Sequence, residues 1–448
     1  MENLPIAFIE QINKEFGEPQ AGRLSELLNG PSPATVRVNP GKISNPEETL
    51  SLPLDTEVKM EGRSQYGYVL GERPVFTLDP LFHGGCYYVQ EASSTAIEQQ
   101  QSLYEALVEE NPDGKIRVLD LCAAPGGKST HLLSIFRDCP GAMLVANEVI
   151  RSRATILAEN IAKWGSANVV VTNNDPADFK SFEGFFDMVV VDAPCSGEGM
   201  FRKDPAAREE WSPEHVDQCA ARQRRIVADI WPALRSGGIM VYSTCTFNHK
   251  ENGDNLQWIA SELGGSVLHS EQCFPGETYG EGFFYGVVRK DGEGPHTAVK
   301  DPLRGASVKP FKERLDFIND RFVCYKKGDL VKSYPAAVAE DMIYAESHLR
   351  AVAAGSAAAT VMEGAKGKSV VPEADIALSE ALRRGAFPEV DLSLEDALKF
   401  LRKEPLIFAS QPKGYLLMTY KGVPLGFVKN IGNRSNNLWP QGWRIRNV

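Results

Sequence analysis

Two short segments carry thiols placed for covalent chemistry: Asp192-Ala193-Pro194-Cys195-Ser196-Gly197 and Ser243-Thr244-Cys245-Thr246. Each closes an apolar run, Asp187–Val191 or Ile239–Tyr242, of the kind that forms a buried strand. A cysteine at a strand end is ordinarily one more small apolar residue. Two of them, each among polar neighbours and at the ends of strands that a parallel sheet would bring together, point instead to one reaction centre. A thiolate attacks electron-poor carbon and splits one hard step into two easier ones. A free thiol ionises only near a pKa of about 8.5, so it needs a cationic or hydrogen-bonding surround. The other six cysteines include no pair three or four positions apart, and no zinc-ribbon spacing arises. No metal is expected, and no disulfide framework.

The elements that must position these thiols are legible as an alternation. Arg117–Leu121, Met143–Ala146 and Asn168–Thr172 precede the two thiol-bearing runs, and Gly282–Arg289 follows as a last strand. Helical segments separate them. The clearest opens with Ser212 as N-cap and Pro213 at the first helical position, runs through Ile226 and Ile230, kinks near Pro232 and stops at Gly237–Gly238. Such alternation predicts a doubly wound α/β sheet.

The first strand runs into Cys122-Ala123-Ala124-Pro125-Gly126-Gly127-Lys128. Glycines between a strand and a helix let backbone approach a ligand, but the loop matches neither G-x-G-x-x-G nor a P-loop, and a dinucleotide, a phosphate or S-adenosylmethionine would all suit it. The next strand ends sharpen this reading. Glu148 stands where an acid typically accepts from a ribose diol, Asp175 follows the third strand within reach of an adenine amino group, and Asp192 follows the fourth. Any one of these acids is more often a helix cap. Together with the glycine loop they describe a nucleoside-binding crevice.

A methyl donor beside two thiols suits carbon 5 of cytosine, which is too weak a nucleophile to attack a sulfonium methyl unaided. A thiolate added to carbon 6 makes carbon 5 reactive. Lys128 could supply part of the cationic field, and Asp192 could hydrogen-bond the N3–N4 edge and select cytosine over uracil. Carbon 6 is shielded in a base stack, so the target nucleotide must be unpaired or flipped.

In order, VLDLCAAPGGK, ANE, NNDP, VVVDAPCSGEGMFRKDP and GGIMVYSTCTF resemble the Sun/Fmu-type RNA cytosine-C5 methyltransferases. Arg37-Val38-Asn39 and Tyr88-Val89-Gln90-Glu91-Ala92-Ser93-Ser94 agree as well, and Leu438-Trp439-Pro440-Gln441-Gly442-Trp443-Arg444-Ile445 resembles the C-terminal RNA-binding module of the bacterial small-subunit rRNA methyltransferase F branch. The likeness is weakest over about 290–390. It implies a Rossmann-like class I methyltransferase domain with a mainly parallel seven-stranded sheet, S-adenosyl-L-methionine on Cys122–Lys128, Glu148, Asp175 and Asp192, Cys245 as nucleophile and Cys195 as the thiol assisting release. Ser129 departs from the family's usual Thr, and Lys163-Trp164-Gly165 from an Arg-containing turn.

The implied organisation is an N-terminal α+β RNA-binding extension (1–105), the catalytic domain (106–290), a middle domain or linker (291–372) and a small β-rich, PUA-like RNA-binding domain (373–448). The extension opens on a helix (Ile6, Ile9, Ile12, Phe16) followed by short strands at Thr35–Asn39 and Gly67–Leu70. Ala351–Lys368, rich in Ala and Gly, reads as a weak helix or a surface linker. Ser393 and Asp396 form a capping box for a helix through Arg402, and strands are expected at Leu406–Ala409, Gly414–Tyr420 and Pro424–Lys429.

Net charge is −11, yet the last fifty residues hold nine basic residues against one acid, a localised footprint for phosphate. Within it Lys429, Arg434 and Arg444 are candidate RNA contacts. After the fourth strand, Arg202 and Lys203 are candidates to grip phosphates, with Phe201 to stack on a base. The opening twenty residues lack the pattern of a signal peptide, and no apolar run is long enough to span a bilayer, so a cytoplasmic monomer acting on small-subunit rRNA or the 30S subunit is expected. Two rivals remain from the sequence: a non-catalytic rRNA-binding assembly factor, and a methyltransferase acting on tRNA. An amino-group methyltransferase is disfavoured, because the Asp-Ala-Pro-Cys loop ends in a thiol where that chemistry needs an aromatic clamp.

Overall fold

The computed structural model describes residues 4–59, 64–111, 113–294, 297–299, 301–364 and 367–446. At its centre five apolar strands pair in parallel: β1 (Ile116–Asp120), β2 (Ala142–Asn147), β3 (Val169–Thr172), β4 (Phe186–Asp192) and β5 (Leu234–Thr244). β6 (Gly265–Cys273) and β7 (Phe283–Lys290) follow, with β7 antiparallel to both β5 and β6. An eighth strand, β8 (Ala351–Ala354), adds antiparallel to β3, giving the order β6-β7-β5-β4-β1-β2-β3-β8. The order reverses between β1 and β4, where a doubly wound sheet opens a crevice at its carboxyl edge.

Alternating residues of these strands feed two cores. Ile116 and Val118 pack with Leu132 and Leu133 of α1 (Gly127–Ile135) and with Leu157 and Ile161 of α2 (Arg151–Trp164). Leu119 and Leu121 face the opposite layer, with Ile226 and Ile230 of α3 (Pro213–Ile230) and Leu256 and Ile259 of α4 (Gly253–Leu263). Both faces of the sheet are thereby covered, which is why its strands read as continuous apolar runs.

Several boundaries differ from the sequence expectation. α3 starts as expected, with the Ser212 hydroxyl accepting from the His215 amide at 3.1 Å, but it ends at Ile230. Pro232 sits in a 3-10 turn, Trp231–Ala233, and Leu234 already begins β5. Gly237 and Gly238 are therefore strand residues. At Gly238 a side-chain carbon would come within 2.8 Å of the Asp187 carbonyl oxygen, so the glycine permits close strand approach.

The described residues of Ala351–Lys368 are neither helix nor linker. They supply β8 and then Ser356–Gly364, which pairs with Leu330–Pro335 and Gly367–Pro372 in a five-stranded antiparallel sheet. Ala358 and Ala359 are fully buried there; the small side chains fit a tight layer rather than express helix propensity. The preceding helix, Ala339–His348, packs Met342, Ile343 and Ala345 into the core beneath the central sheet. The described residues of 291–372 thus help build the central body.

The N-terminal segment places helices Ile6–Phe16 and Glu18–Leu27 beside a four-stranded antiparallel sheet. Its Arg37, fully buried, donates to Gln90 Oε1 (2.8 Å), Ser134 Oγ (3.0 Å), the Gly127 carbonyl (3.3 Å) and Thr130 Oγ1, and lies 4.7 Å over the Trp164 ring. Burial pulls its pKa down to about 9. Asn39 donates to the carbonyls of Gly85 and Trp164, both at 2.9 Å. The Arg-Val-Asn segment therefore fastens this unit onto α1 and α2, directly behind the glycine loop.

At the C-terminus, Glu389–Asp391, Gly414–Tyr420, Val423–Asn430 and Ser435–Asn437 form a four-stranded sheet beside the helix Leu394–Arg402. Ser393 caps that helix through the Asp396 amide. Leu406–Ala409 is not a strand. The Asn430 side-chain amide donates to the carbonyls of Phe408, Gln411 and Pro412 and holds this stretch as a loop.

His83 marks where the two outer units meet. It is buried, 6.4 Å from the Trp439 ring, with Nε2 at 3.0 Å from the Thr77 carbonyl and Nδ1 without a partner. Burial pushes its pKa from 6.5 down to about 4. Between these values the unfolded chain binds a proton that the folded chain refuses, so the contribution is fully present above 6.5 and lost as pH falls toward 4. Replacing His83 with Gln should flatten the pH dependence of unfolding free energy across that window by about 3 kcal/mol, measured by denaturant titration.

Candidate active site

Cys195 and Cys245 meet. Their sulfurs are 3.1 Å apart, both half-buried and both free thiols. The contact follows from register: β4 and β5 pair so that Asp192 lies opposite Ser243, and each chain turns off the sheet two or three residues later. The Ala193 amide donates to the Ser243 carbonyl (2.8 Å) and the Gly199 amide to the Cys245 carbonyl (2.9 Å), stitching the two loops. The Cys195 thiol is held well above its ordinary pKa first by its hydrogen bond to the Cys245 sulfur, then by burial, and the nearby Glu251 carboxylate adds to this.

The glycine loop reaches this pair through charge. Lys128 Nζ, on the first turn of α1, lies 2.8 Å from Asp192 Oδ2 and 4.8 Å over the Phe283 ring, while Asp192 Oδ1 accepts from Ser243 Oγ at 2.9 Å. Burial alone would lower the Lys128 pKa, but Asp192, with Asp120 and Cys245 near, raises it, so the ammonium is retained. A fixed cation thus stands beside the two thiol loops.

The loop itself is built for close approach. Gly126 has φ +119°, a conformation that disfavours any side chain, and a carbon added there would press on Leu157 at 3.3 Å. From α2, Arg153 and Asn160 donate to the Ala124 and Pro125 carbonyls, each at 2.8 Å. Below, Asp120 is fully buried at the end of β1. Its Oδ2 accepts from Ser129 Oγ at 2.6 Å, and its Oδ1 has no partner. Burial raises its pKa to about 7. The serine at 129 still supplies a hydroxyl to that carboxylate.

Glu148 is buried, accepting from the Ile150 amide at 2.8 Å with Arg153 at 3.4 Å. Asp175 caps the turn Pro176–Phe182 by accepting from the Ala177 amide at 3.1 Å, and Arg225 lies 3.9 Å away. The cap role that is usual for such an acid is thus occupied at Asp175. Cys122 is held above its ordinary pKa by burial and the surrounding acids, which leaves it an inert wall of the crevice.

The basic loop after β4 requires correction. Phe201 is 1% exposed and packs edge-on against Phe8 at 5.0 Å, so it has no face for a base. Arg202 is equally committed: it donates to the Leu27 carbonyl at 2.9 Å and pairs with Glu281 at 3.2 Å, pinning the N-terminal helices to the catalytic body. Lys203 also pairs with Glu281, at 3.4 Å. The local run Met-Phe-Arg-Lys looked like a nucleic-acid reader only because its partners lie far away in sequence. In the C-terminal unit, by contrast, Lys429, Arg434 and Arg444 are exposed. Lys421 and Lys403 are used internally, on the Thr49 and Trp439 carbonyls.

Sequence reasoning missed the buried carboxylates of Glu198 and Glu251, which hold the thiol loops and are taken up below. Among the described residues, no cluster of three or more His, Cys, Asp or Glu side chains is arranged to hold a metal ion, and no helix is long and apolar enough to cross a membrane.

Three family models match the chain: the N-terminal domain of 16S rRNA methyltransferase RsmF over residues 4–92, 16S rRNA methyltransferase RsmB/F over 107–270 and the methyltransferase RsmF PUA domain over 387–445. Ribosomal RNA small subunit methyltransferase F of Pectobacterium carotovorum subsp. carotovorum (strain PC1) is 30% identical over 400 residues, covering 82% of this chain and 78% of that protein. The protein of the same name from Klebsiella pneumoniae (strain 342) is 31% identical over 395 residues, covering 80% and 78%. Among solved structures, a methyltransferase homologue from Pyrococcus horikoshii superposes with a TM-score of 0.52 at 25% identity, over 63% of this chain and 94% of that one. NSun6 from Pyrococcus horikoshii with SFG gives a TM-score of 0.52 at 18% identity, over 64% and 99%, a likeness of fold.

Proposed function

The chain belongs to the ribosomal RNA small subunit methyltransferase F family, and from that premise we propose that it transfers a methyl group from S-adenosylmethionine to carbon 5 of a cytosine in small-subunit rRNA. The observation that carries this reading is the 3.1 Å approach of two free thiols at neighbouring strand ends, beside an ion pair rooted in the glycine loop. A binding module needs no such pair.

The residues fit the methyl donor. A glycine that tolerates no side chain, a buried carboxylate at Glu148 and the unpartnered Oδ1 of Asp120 gather at the sheet edge where nucleosides bind. Once bound there, S-adenosylmethionine supplies an electrophilic methyl group. The chain's own residues do the rest. Cys245 Sγ, as thiolate, forms a bond to carbon 6, and the ring electrons move to carbon 5. Lys128 favours the anionic sulfur, while Asp192, oriented by Lys128 and Ser243, offers acceptor lone pairs to the cytosine amino edge. After methylation, Cys195, freed of its hydrogen bond to the now carbon-bound Cys245 sulfur and ionised by loss of its own proton to water, takes the proton on carbon 5 as a thiolate. That electron pair restores the ring double bond as the bond to Cys245 breaks.

Exposed Lys429, Arg434 and Arg444 on the PUA unit supply contacts to phosphate. The test is transfer of labelled methyl from S-adenosylmethionine to small-subunit rRNA and to 30S particles, followed by bisulfite mapping of the product. A new protected cytosine is expected. Tight binding of rRNA with no transfer would replace this reading with that of an assembly factor, and transfer to tRNA alone would move the substrate.

A further inference from the structure

Two buried carboxylates cross between the thiol-bearing loops. Glu198 stands three residues after Cys195, yet its Oε2 accepts from the amides of Phe247 (2.7 Å) and Asn248 (3.0 Å), just after Cys245. Its Oε1 accepts from Trp211 Nε1 (3.1 Å), Asn248 Nδ2 (3.1 Å) and Gln11 Nε2 (3.2 Å). Glu251 answers from the other loop. It stands six residues after Cys245 and accepts from the Ser196 amide (3.0 Å), the Ser196 hydroxyl, Gln223 Nε2 (2.7 Å) and Asn248 Nδ2 (2.8 Å). Both side chains are fully buried, and neither has a cationic partner among the described residues. Burying an unpaired carboxylate is costly, and only a complete set of donors offsets it. A purely structural core would have been cheaper with apolar residues here.

We propose that Glu198 is a positioning residue for the proposed reaction: reaching from the Cys195 loop to the amides behind Cys245, it fixes the spacing of the two sulfurs, with Glu251 as the weaker reciprocal brace. This rests on the methyl-transfer reading for its catalytic consequence, although not for its geometry. The donor sets separate the two carboxylates. At Glu198 the amides of Phe247 and Asn248 and the Trp211 indole cannot reverse their polarity, and they occupy both oxygens. Either orientation of a glutamine amide would set an NH2 group against a fixed N–H. At Glu251 the backbone amide of Ser196 sits on Oε2 alone, so a glutamine can keep its oxygen there and set its NH2 group at the Oε1 position against the Ser196 hydroxyl, which can turn to accept.

The experiment reads sulfur spacing directly in the full-length protein. Diamide takes one hydrogen from each thiol, is reduced to the hydrazine and leaves a Cys195–Cys245 disulfide, quantified by peptide mapping. E198Q is expected to close this bond about tenfold or more slowly than wild type, with far-UV circular dichroism unchanged, and to lose up to about 10²-fold in kcat with KM for the methyl donor unchanged. E251Q should lose less in both. Closure in E198Q at the wild-type rate would overturn the proposal. If E198Q does not fold, amide exchange in wild type decides: protection at Phe247 and Asn248 equal to the β5 core supports the clamp, and rapid exchange there overturns it. Slowed closure in E198Q alongside a wild type that transfers no methyl group would keep the clamp and reject the reaction.

Discussion

Cys245→Ser is expected to abolish methyl transfer and to leave no RNA joined to protein after denaturation. The serine hydroxyl is close in size, so the loops should keep their stitching through Gly199 and Glu198, and melting should barely shift. What is lost is the nucleophile: a serine has no general base here, since the Cys195 thiol, even without its Cys245 hydrogen bond, is still pushed up by burial and the nearby Glu251 carboxylate. Removing a nucleophile that acts as part of a unit costs on the order of 10⁶-fold in the serine-protease case, and a loss of about 10⁴-fold or more is expected here. Labelled methyl counts in rRNA and denaturing electrophoresis check both halves. A Cys245→Ser protein that still forms a denaturation-resistant adduct would exchange the roles of the two thiols.

Cys195→Ser should give the opposite picture: a covalent protein–RNA species that survives denaturation and accumulates to a large fraction of the enzyme in a single turnover. In the proposed reaction attack draws on Cys245 and the Lys128 cation, both of which this substitution retains, with a serine hydroxyl in place of the thiol beside the Cys245 sulfur. Release needs a group beside the adduct to take the carbon-5 proton, and the 3.1 Å sulfur contact puts Cys195 in that place. Before attack its thiol is held protonated chiefly by the hydrogen bond to the Cys245 sulfur; once that sulfur is bonded to carbon 6 this hold is gone, so Cys195 can release its proton to water and, as thiolate, take the one on carbon 5. Steady-state turnover should fall by about 10²-fold or more, the usual contribution of a positioned acid or base. The band should be absent without S-adenosylmethionine if methylation precedes release. Normal turnover with no band would show that water or another side chain takes the proton.

Much of the centre was legible in the chain because it depends on short segments at strand ends. Strands buried on both faces announce themselves as apolar runs, and in a parallel sheet everything functional collects where those runs stop. The glycine loop, Glu148, Asp192, Cys195 and Cys245 could therefore be named from order alone, and register on β4 and β5 then brings the sulfurs together. The errors share a physical cause. Ala351–Lys368 was opaque because alanine suits helix, linker or a tightly packed strand, and only the open edge of β3 and the hairpin beyond it select the last. Glycine often ends helices, which is why the pattern extends α3 to Gly237–Gly238; in the structure Gly238 lets strands approach.

Local order along the chain sets the chemistry on offer: two thiols, a cation and acids, each tied to its own strand end by spacing of a few residues. Tertiary structure alone decided which polar groups are free to act. Phe201 and Arg202 read as surface ligands until Phe8, Leu27 and Glu281, distant in the chain, buried them. Glu198 and Glu251 read as loop acids until the opposite loop supplied their donors. Whether a buried charge is tolerated depends on the full set of hydrogen-bond partners around it, and those partners are assembled by folding from positions that no local pattern connects.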